Sequence, residues 1–144
     1  MRRPAAGRVL VDTGPLVAIL DDKDAHHRAC VQALAALDGP LYTCWPVITE
    51  VAWLLRHSPG AVRRLLDSIN TPFVELLPLE GPEVRPIAEL LEKYESIRPQ
   101  LADAALVYLA RRERIETIFT LDRRDFSVYR TGGGRSFRIL PEID

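Results

Sequence analysis

Short unbroken apolar runs alternate along the chain with longer segments whose apolar residues recur every three or four positions. Runs of the first kind, bounded by turn residues, read as buried strands of a parallel sheet; the longer segments read as helices. A strand is expected over 8–12, carried by Val9-Leu10-Val11 and closed by Asp12 before Thr13-Gly14-Pro15. A short helical turn is expected around Leu16–Leu20. Asp24 stands where an N-cap belongs, ahead of a helix to about Leu37 with Val31, Leu34 and Leu37 as its apolar stripe and Gly39-Pro40 as its stop. Leu41–Cys44 reads as a short strand, Pro46 opens a helix through Leu55, and Pro59-Gly60 restarts one to about Ile69. After the turn at Asn70-Thr71-Pro72 come a strand over Phe73–Leu79 and a helix from about Pro82 to Glu95, broken at Arg98-Pro99. A helix over Leu101–Arg112, a strand over Thr117–Leu121, the Gly132–Gly134 loop and a strand at Phe137–Leu140 complete the pattern.

Strands alternating with helices imply an α/β fold, a mostly parallel sheet with helices on both faces. Consecutive helices without an intervening strand exclude a plain βαβ repeat. No repeat, low-complexity tract or linker divides the 144 residues, so a single domain over 1–144 is expected, large enough to bury a core.

Composition adds limits. An apolar content of 47% with 27% charge is ordinary for a globular protein, and the net charge of −1 gives no global basic signature. Charge is uneven, however. Eight arginines against four acids lie between Arg111 and Arg138, with Arg2, Arg3 and Arg8 near the start, whereas residues 75–95 carry six glutamates against Arg85 and Lys93. A cationic terminal region suits a polyanionic partner; solvated helix faces and helix C-terminal charges explain it equally well. Cys30 and Cys44 lack CxxC spacing and read as reduced, buried thiols. No run reaches membrane-spanning length and the apolar stretch at the start is interrupted by Asp12, so a cytoplasmic protein without a membrane partner is expected.

The acids carry the chemistry. Asp12 arrives at the carboxyl end of a strand, where open α/β sheets bind ligands, although an aspartate there also serves as a turn residue. Glu50 has Pro46, Val47, Trp53 and Leu54 at helical spacing, which sets a carboxylate on an apolar stripe; a partly exposed helix edge is the alternative. Asp103 has Leu106, Val107 and Ala110 on its face, against the plain reading of a first-turn aspartate favoured by the helix dipole. A charge on a buried face costs several kcal/mol unless it is paired or holds a metal. Asp122 follows Thr117–Leu121 and repeats the strand-then-aspartate arrangement of Asp12; Asp125 comes three residues later, and of the two Asp125 is the better N-cap candidate. Several carboxylates in one pocket repel, and a hard divalent cation with oxygen ligands removes the conflict. An all-acid site without histidine or lysine suits phosphodiester hydrolysis better than acyl transfer. His26 and His27, adjacent and so about 100° apart on a helix, read as solvated rather than as a metal pair.

The ordered set Val9-Leu10-Val11-Asp12-Thr13, Thr49-Glu50-Val51, Leu101-Ala102-Asp103-Ala104 and Thr120-Leu121-Asp122-Arg123-Arg124-Asp125-Phe126 resembles a PIN domain, and more narrowly the VapC-like toxin ribonucleases of bacterial and archaeal toxin–antitoxin pairs. The likeness runs from about Arg8 to Pro141. It implies a three-layer α/β/α fold and a Mg²⁺- or Mn²⁺-dependent endoribonuclease. Asp12, Glu50, Asp103 and Asp122 match the family's acidic quartet, with Asp12 and Asp103 at the core of the metal site and Glu50 and Asp122 acting directly or through bound water. Asp125 can replace or supplement Asp122. Thr13 matches a supporting hydroxyl, and Thr120 is a candidate for the same role. Arg123, Arg124 and Arg130 are candidates to hold an RNA backbone, and Tyr129 and Trp45 to stack on bases. The resemblance also implies an antitoxin protein and a homodimer. An RNA-binding module without catalysis and a stand-alone RNA-processing nuclease are the alternatives. Strand-end-aspartate phosphotransfer folds fit poorly, since position 14 is glycine and the lysines are Lys23 and Lys93.

Overall fold

Among the described residues five strands form one sheet in the order β3-β2-β1-β4-β5, every neighbouring pair parallel. They are β1 (Val9–Val11), β2 (Leu41–Thr43), β3 (Val74–Leu76), β4 (Thr117–Phe119) and β5 (Arg138–Leu140). This computed structural model describes residues 7–142; the basic Arg2 and Arg3, and both ends of the expected domain, lie outside the described residues. Among the described residues seven helices surround the sheet: α1 (Thr13–Leu20), α2 (His27–Ala35), α3 (Trp45–Leu54), α4 (Ala61–Ser68), α5 (Val84–Lys93), α6 (Leu101–Glu113) and α7 (Arg123–Phe126). The three-layer α/β fold matches the expectation, with a wholly rather than mostly parallel sheet.

Topology explains where a ligand would sit. From β1 the chain builds outward through β2 to β3, then crosses back so that β4 and β5 line up on the other side of β1. The order therefore reverses between β1 and β4, and a crevice opens beyond their carboxyl ends. Asp12 follows β1, and Asp122 lies three residues after the end of β4. Leu10, Val11, Ile118 and Phe119 are fully buried, so packing on both faces of the two central strands anchors whatever their ends carry. Among the described residues no helix is long and apolar enough to cross a membrane.

Several local expectations need correction. The helix α1 begins directly after Asp12 and makes two turns, where only a turn near Leu16 was expected. Asp24 does not cap α2: its Oδ1 accepts the His26 N–H at 2.8 Å in a turn, and the helix starts at His27. Of the expected apolar stripe of α2, Leu34 and, past its end, Leu37 pack against the core beside the buried Cys30, whereas Val31 is 38% exposed. His27 is not simply solvated, because its Nδ1 lies 2.6 Å from the Ala18 carbonyl and ties α2 to α1. The strand expected over Phe73–Leu79 shrinks to Val74–Leu76, with Phe73 exposed. Before α5 the segment Gly81–Glu83 is a 3-10 turn closed by a reciprocal capping box between Glu80 and Glu83.

Candidate active site

A cleft of about 530 Å³ opens at the carboxyl ends of β1 and β4, and five carboxylates line it: Asp12, Glu50, Asp103, Asp122 and Asp125. These acids, drawn from four separate stretches of sequence, are the five candidates. Thr13, Gly14, Leu54, Arg98, Gln100 and Leu121 complete the wall. A Cβ added to Gly14 would stand 3.3 Å from the Leu121 side chain, so a glycine lets α1 begin this close to the loop after β4.

Asp12 is buried, and its N–H donates to the Phe119 carbonyl at 2.9 Å, continuing the β1–β4 ladder. Its Oδ2 accepts the Thr120 hydroxyl at 2.8 Å, while Thr120 Oγ1 accepts the Asp122 N–H at 3.0 Å. One buried hydroxyl thus joins two of the acids. Burial pushes the Asp12 carboxyl above its ordinary range, the Thr13 amide and the Thr120 hydroxyl pull it back, and the charges of Glu50 and Asp122 push it up again. Replacing Thr120 by valine should leave Asp12 Oδ2 without its donor and cost about 1–3 kcal/mol of stability, read from urea unfolding; an unchanged midpoint would deny the hydroxyl this role.

Asp103 is the third residue of α6, and the plain first-turn reading holds alongside the functional one. Its Oδ2 accepts the Gln100 N–H at 3.1 Å, and Gln100 returns a bond to the Asp103 amide. The Tyr129 hydroxyl approaches the same oxygen at 3.5 Å. Behind it Leu106, Val107 and Ala110 are buried as their spacing predicts. Burial raises the Asp103 carboxyl to about 7 against the Gln100 amide, with Asp12, Asp122 and Asp125 adding repulsion.

Glu50 is half-buried on α3. The buried stripe of that helix is Val47, Ile48, Val51 and, just past its end, Leu55, while Trp53 and Leu54 are exposed, so the partly exposed helix edge is the correct description. Asp122, rather than Asp125, is the N-cap of α7: its Oδ1 accepts the Asp125 N–H at 3.1 Å. Asp125 sits inside that turn, its carboxyl raised by burial and by Asp122 beside it.

The donors on offer are all oxygens. Thr13 Oγ1 is buried in the wall of the cleft without a hydrogen-bond partner among the described residues. Among the described residues no three His, Cys, Asp or Glu side chains stand close enough to cage an ion directly. The set could still hold a hard divalent cation that keeps several of its own waters, as Mg²⁺ does.

A PIN domain family model matches residues 9–131. The chain belongs to the PIN domain family. Ribonuclease VapC26 of Mycobacterium tuberculosis is 33% identical over 135 residues, spanning 92% of this chain and 100% of that protein. The crystal structure of VapC20 from Mycobacterium tuberculosis, a sarcin-ricin loop cleaving toxin, matches with a TM-score of 0.70 at 19% identity, covering 76% of this chain and 86% of that one. At that identity the likeness speaks for the fold.

In this PIN domain most of the clustered arginines hold the protein together. Arg8 bonds Glu113 at 3.0 Å, Arg112 bonds Glu83 at 2.7 Å and Glu113 at 2.9 Å, Arg135 pairs with Glu116, and Arg138 with Glu142. Of the RNA-binding candidates, Arg123 donates to the Pro141 carbonyl at 2.7 Å, and Arg130 donates to the carbonyls of Ser127, Val128 and Tyr129. Arg124 is exposed. None of the three lines the cleft. Tyr129 cannot stack on a base: it is 1% exposed, edge-on to Tyr94 and Phe126 at 4.9 and 5.0 Å. Trp45 is 56% exposed and remains open to contact. Arg98 and Gln100 are not apparent in the sequence, since Arg98-Pro99 signals a helix break and a capping box written Gln-x-x-Asp departs from the usual pattern.

Proposed function

We propose that the chain is a divalent-metal-dependent endoribonuclease and the toxin of a toxin–antitoxin pair. The observation that carries the reading is the single cleft lined by five acids, three of them with carboxyls raised above the ordinary range, at the switch point of a PIN-domain sheet. Identity of 33% to a protein named a ribonuclease, over nearly the whole chain, supports the substrate. Asp12, Asp103, Glu50 and Asp122 would hold Mg²⁺ or Mn²⁺, with Asp125 as a supplement and Thr13 and Thr120 as supporting hydroxyls. When bound, such an ion supplies charge to offset the carboxylates' repulsion and that on a phosphoryl oxygen, and it makes water more acidic.

The chain's own groups do the rest. The Thr120 hydroxyl and the Gln100 amide hold Asp12 and Asp103 in place through bonds that need no substrate. Glu50, less buried and facing the cleft from α3, is suited to take the proton from the attacking water. Attack at phosphorus breaks the bond to the 3′ oxygen, which takes up a proton from solvent water as it leaves, giving a 5′-phosphate and a 3′-hydroxyl. An antitoxin offering a cationic segment would fit the acid cleft, and the exposed Trp45, Trp53 and Leu54 along α3 would suit a homodimer or partner contact. The buried, unpaired thiols of Cys30 and Cys44 support a cytoplasmic location.

Incubation with single-stranded RNA tests the reading: cleavage with Mg²⁺ or Mn²⁺ that stops in EDTA is expected, and RNA binding without cleavage in any metal would make the protein a binding module.

The raised Asp103 carboxyl gives a pH signature in metal-free protein. Its folded pKa of about 7 lies above the ordinary 3.8, so its favourable contribution is present below the ordinary value and is lost as pH rises through about 7. The Asp103→Asn protein should therefore gain melting temperature relative to the parent between pH 4 and 7.5, and Mn²⁺ should raise the parent's more at pH 7.5 than at pH 5. Parallel pH curves for the two proteins would refute this.

A further inference from the structure

Five carboxylates repel the polyanion that the proposed activity requires them to receive, and the clustered arginines do not answer for it. Among the described residues, Arg98 is the one cationic side chain that lines the acidic cleft. It is exposed, and its guanidinium makes no hydrogen bond or ion pair among the described residues. Its backbone is held at φ 52, ψ 59, in the left-handed region that glycine and asparagine occupy with least strain. The residue before a proline is further biased toward extended conformations, and Pro99 follows. An arginine therefore stands where local backbone preference argues against it twice. The geometry is fixed from both sides. The 3-10 turn Glu95–Ile97 ends with the Arg98 N–H donating to the Glu95 carbonyl at 3.0 Å, and the Gln100–Asp103 capping box follows at once. Its base lies five residues from Asp103, on the loop that delivers that acid, and Leu54 of α3 lines the same cleft.

We propose that Arg98 is a substrate-binding residue that ion-pairs with a backbone phosphate of the RNA strand entering the acid cleft. A guanidinium matches phosphate geometry through two parallel N–H donors, and an exposed side chain not already spent on a carboxylate can turn to the ligand. Lining the same cleft as the acids, its positive charge offsets part of the repulsion that a strand would otherwise meet. The proposal rests on the ribonuclease reading.

Arg98→Gly tests it without straining the fold, because glycine adopts positive φ freely; Arg98→Asn, also at home there, is the second variant. Against the wild type in Mg²⁺, KM for a single-stranded RNA oligonucleotide should rise about tenfold with kcat nearly unchanged. The slope of log affinity against log salt should fall by about 0.7, measured by anisotropy of fluorescein-labelled RNA in an Asp12→Asn background. The melting temperature should not fall, and Arg98→Lys should recover part of the affinity. Cleavage by the wild type with unchanged KM and salt slope in the variants would overturn the role of Arg98 alone, as would a fall in kcat at constant KM. A wild type that cleaves no RNA in any metal overturns the ribonuclease reading instead; unchanged RNA anisotropy in the double variant would still count against Arg98 in that case.

Discussion

Asp12→Asn should lower RNA cleavage by about 10³-fold or more while leaving the fold intact, since a lost metal carboxylate removes several kcal/mol of transition-state stabilisation at about 1.36 kcal/mol per decade. The substitution keeps the shape of the side chain, and its amide oxygen can still accept the Thr120 hydroxyl that now bonds Oδ2 at 2.8 Å. It removes a charge that burial already disfavours, so the metal-free variant should melt no lower than its parent. Cleavage rates at saturating Mn²⁺, read beside thermal melts, check both halves. An intact variant that cut RNA at the parental rate would place the chemistry elsewhere.

Phe126→Ala should be the costliest single change near the site, at about 3–5 kcal/mol in urea unfolding. Phe126 is fully buried and meets Tyr129 and Phe137 edge-on, with ring centroids at 5.0 and 6.0 Å. It closes α7, a helix of only four residues that has no stability of its own. What the aromatic cluster anchors is the turn from Asp122 to Asp125, and therefore two of the five acids in the cleft. Activity should then fall by more than the unfolded fraction accounts for. A loss below about 1 kcal/mol would mean the cluster does not anchor the turn.

How far the sequence discloses this site differs from residue to residue. Asp12 was legible because a buried strand flanked by a turn is a local pattern, and because its position in a parallel sheet then follows from general topology. Asp103 was legible through a conflict between its charge and its buried neighbours, which persists in the fold. Glu50 came from the same argument, yet it lies at the edge of α3, because helical spacing does not say which side of an apolar helix meets the sheet. Asp122 and Asp125 were assigned the wrong way round as cap, a choice decided by backbone geometry at a single peptide. The arginines were least legible. Arg8 and Glu113 stand 105 positions apart and still form a pair, so charge counted along the chain says little about charge left exposed. The strand lengths erred at Phe73–Leu79 because β3 is an edge strand with one neighbour, where apolar residues outlast the ladder.

Binding of Mn²⁺, followed by loss of the free ion's electron paramagnetic resonance signal, tests most directly whether these acids form the metal site on which cleavage depends. Saturable binding is expected for the wild type, abolished in both Asp12→Asn and Asp103→Asn. Binding by either folded variant as tight as the parent's would contradict that expectation.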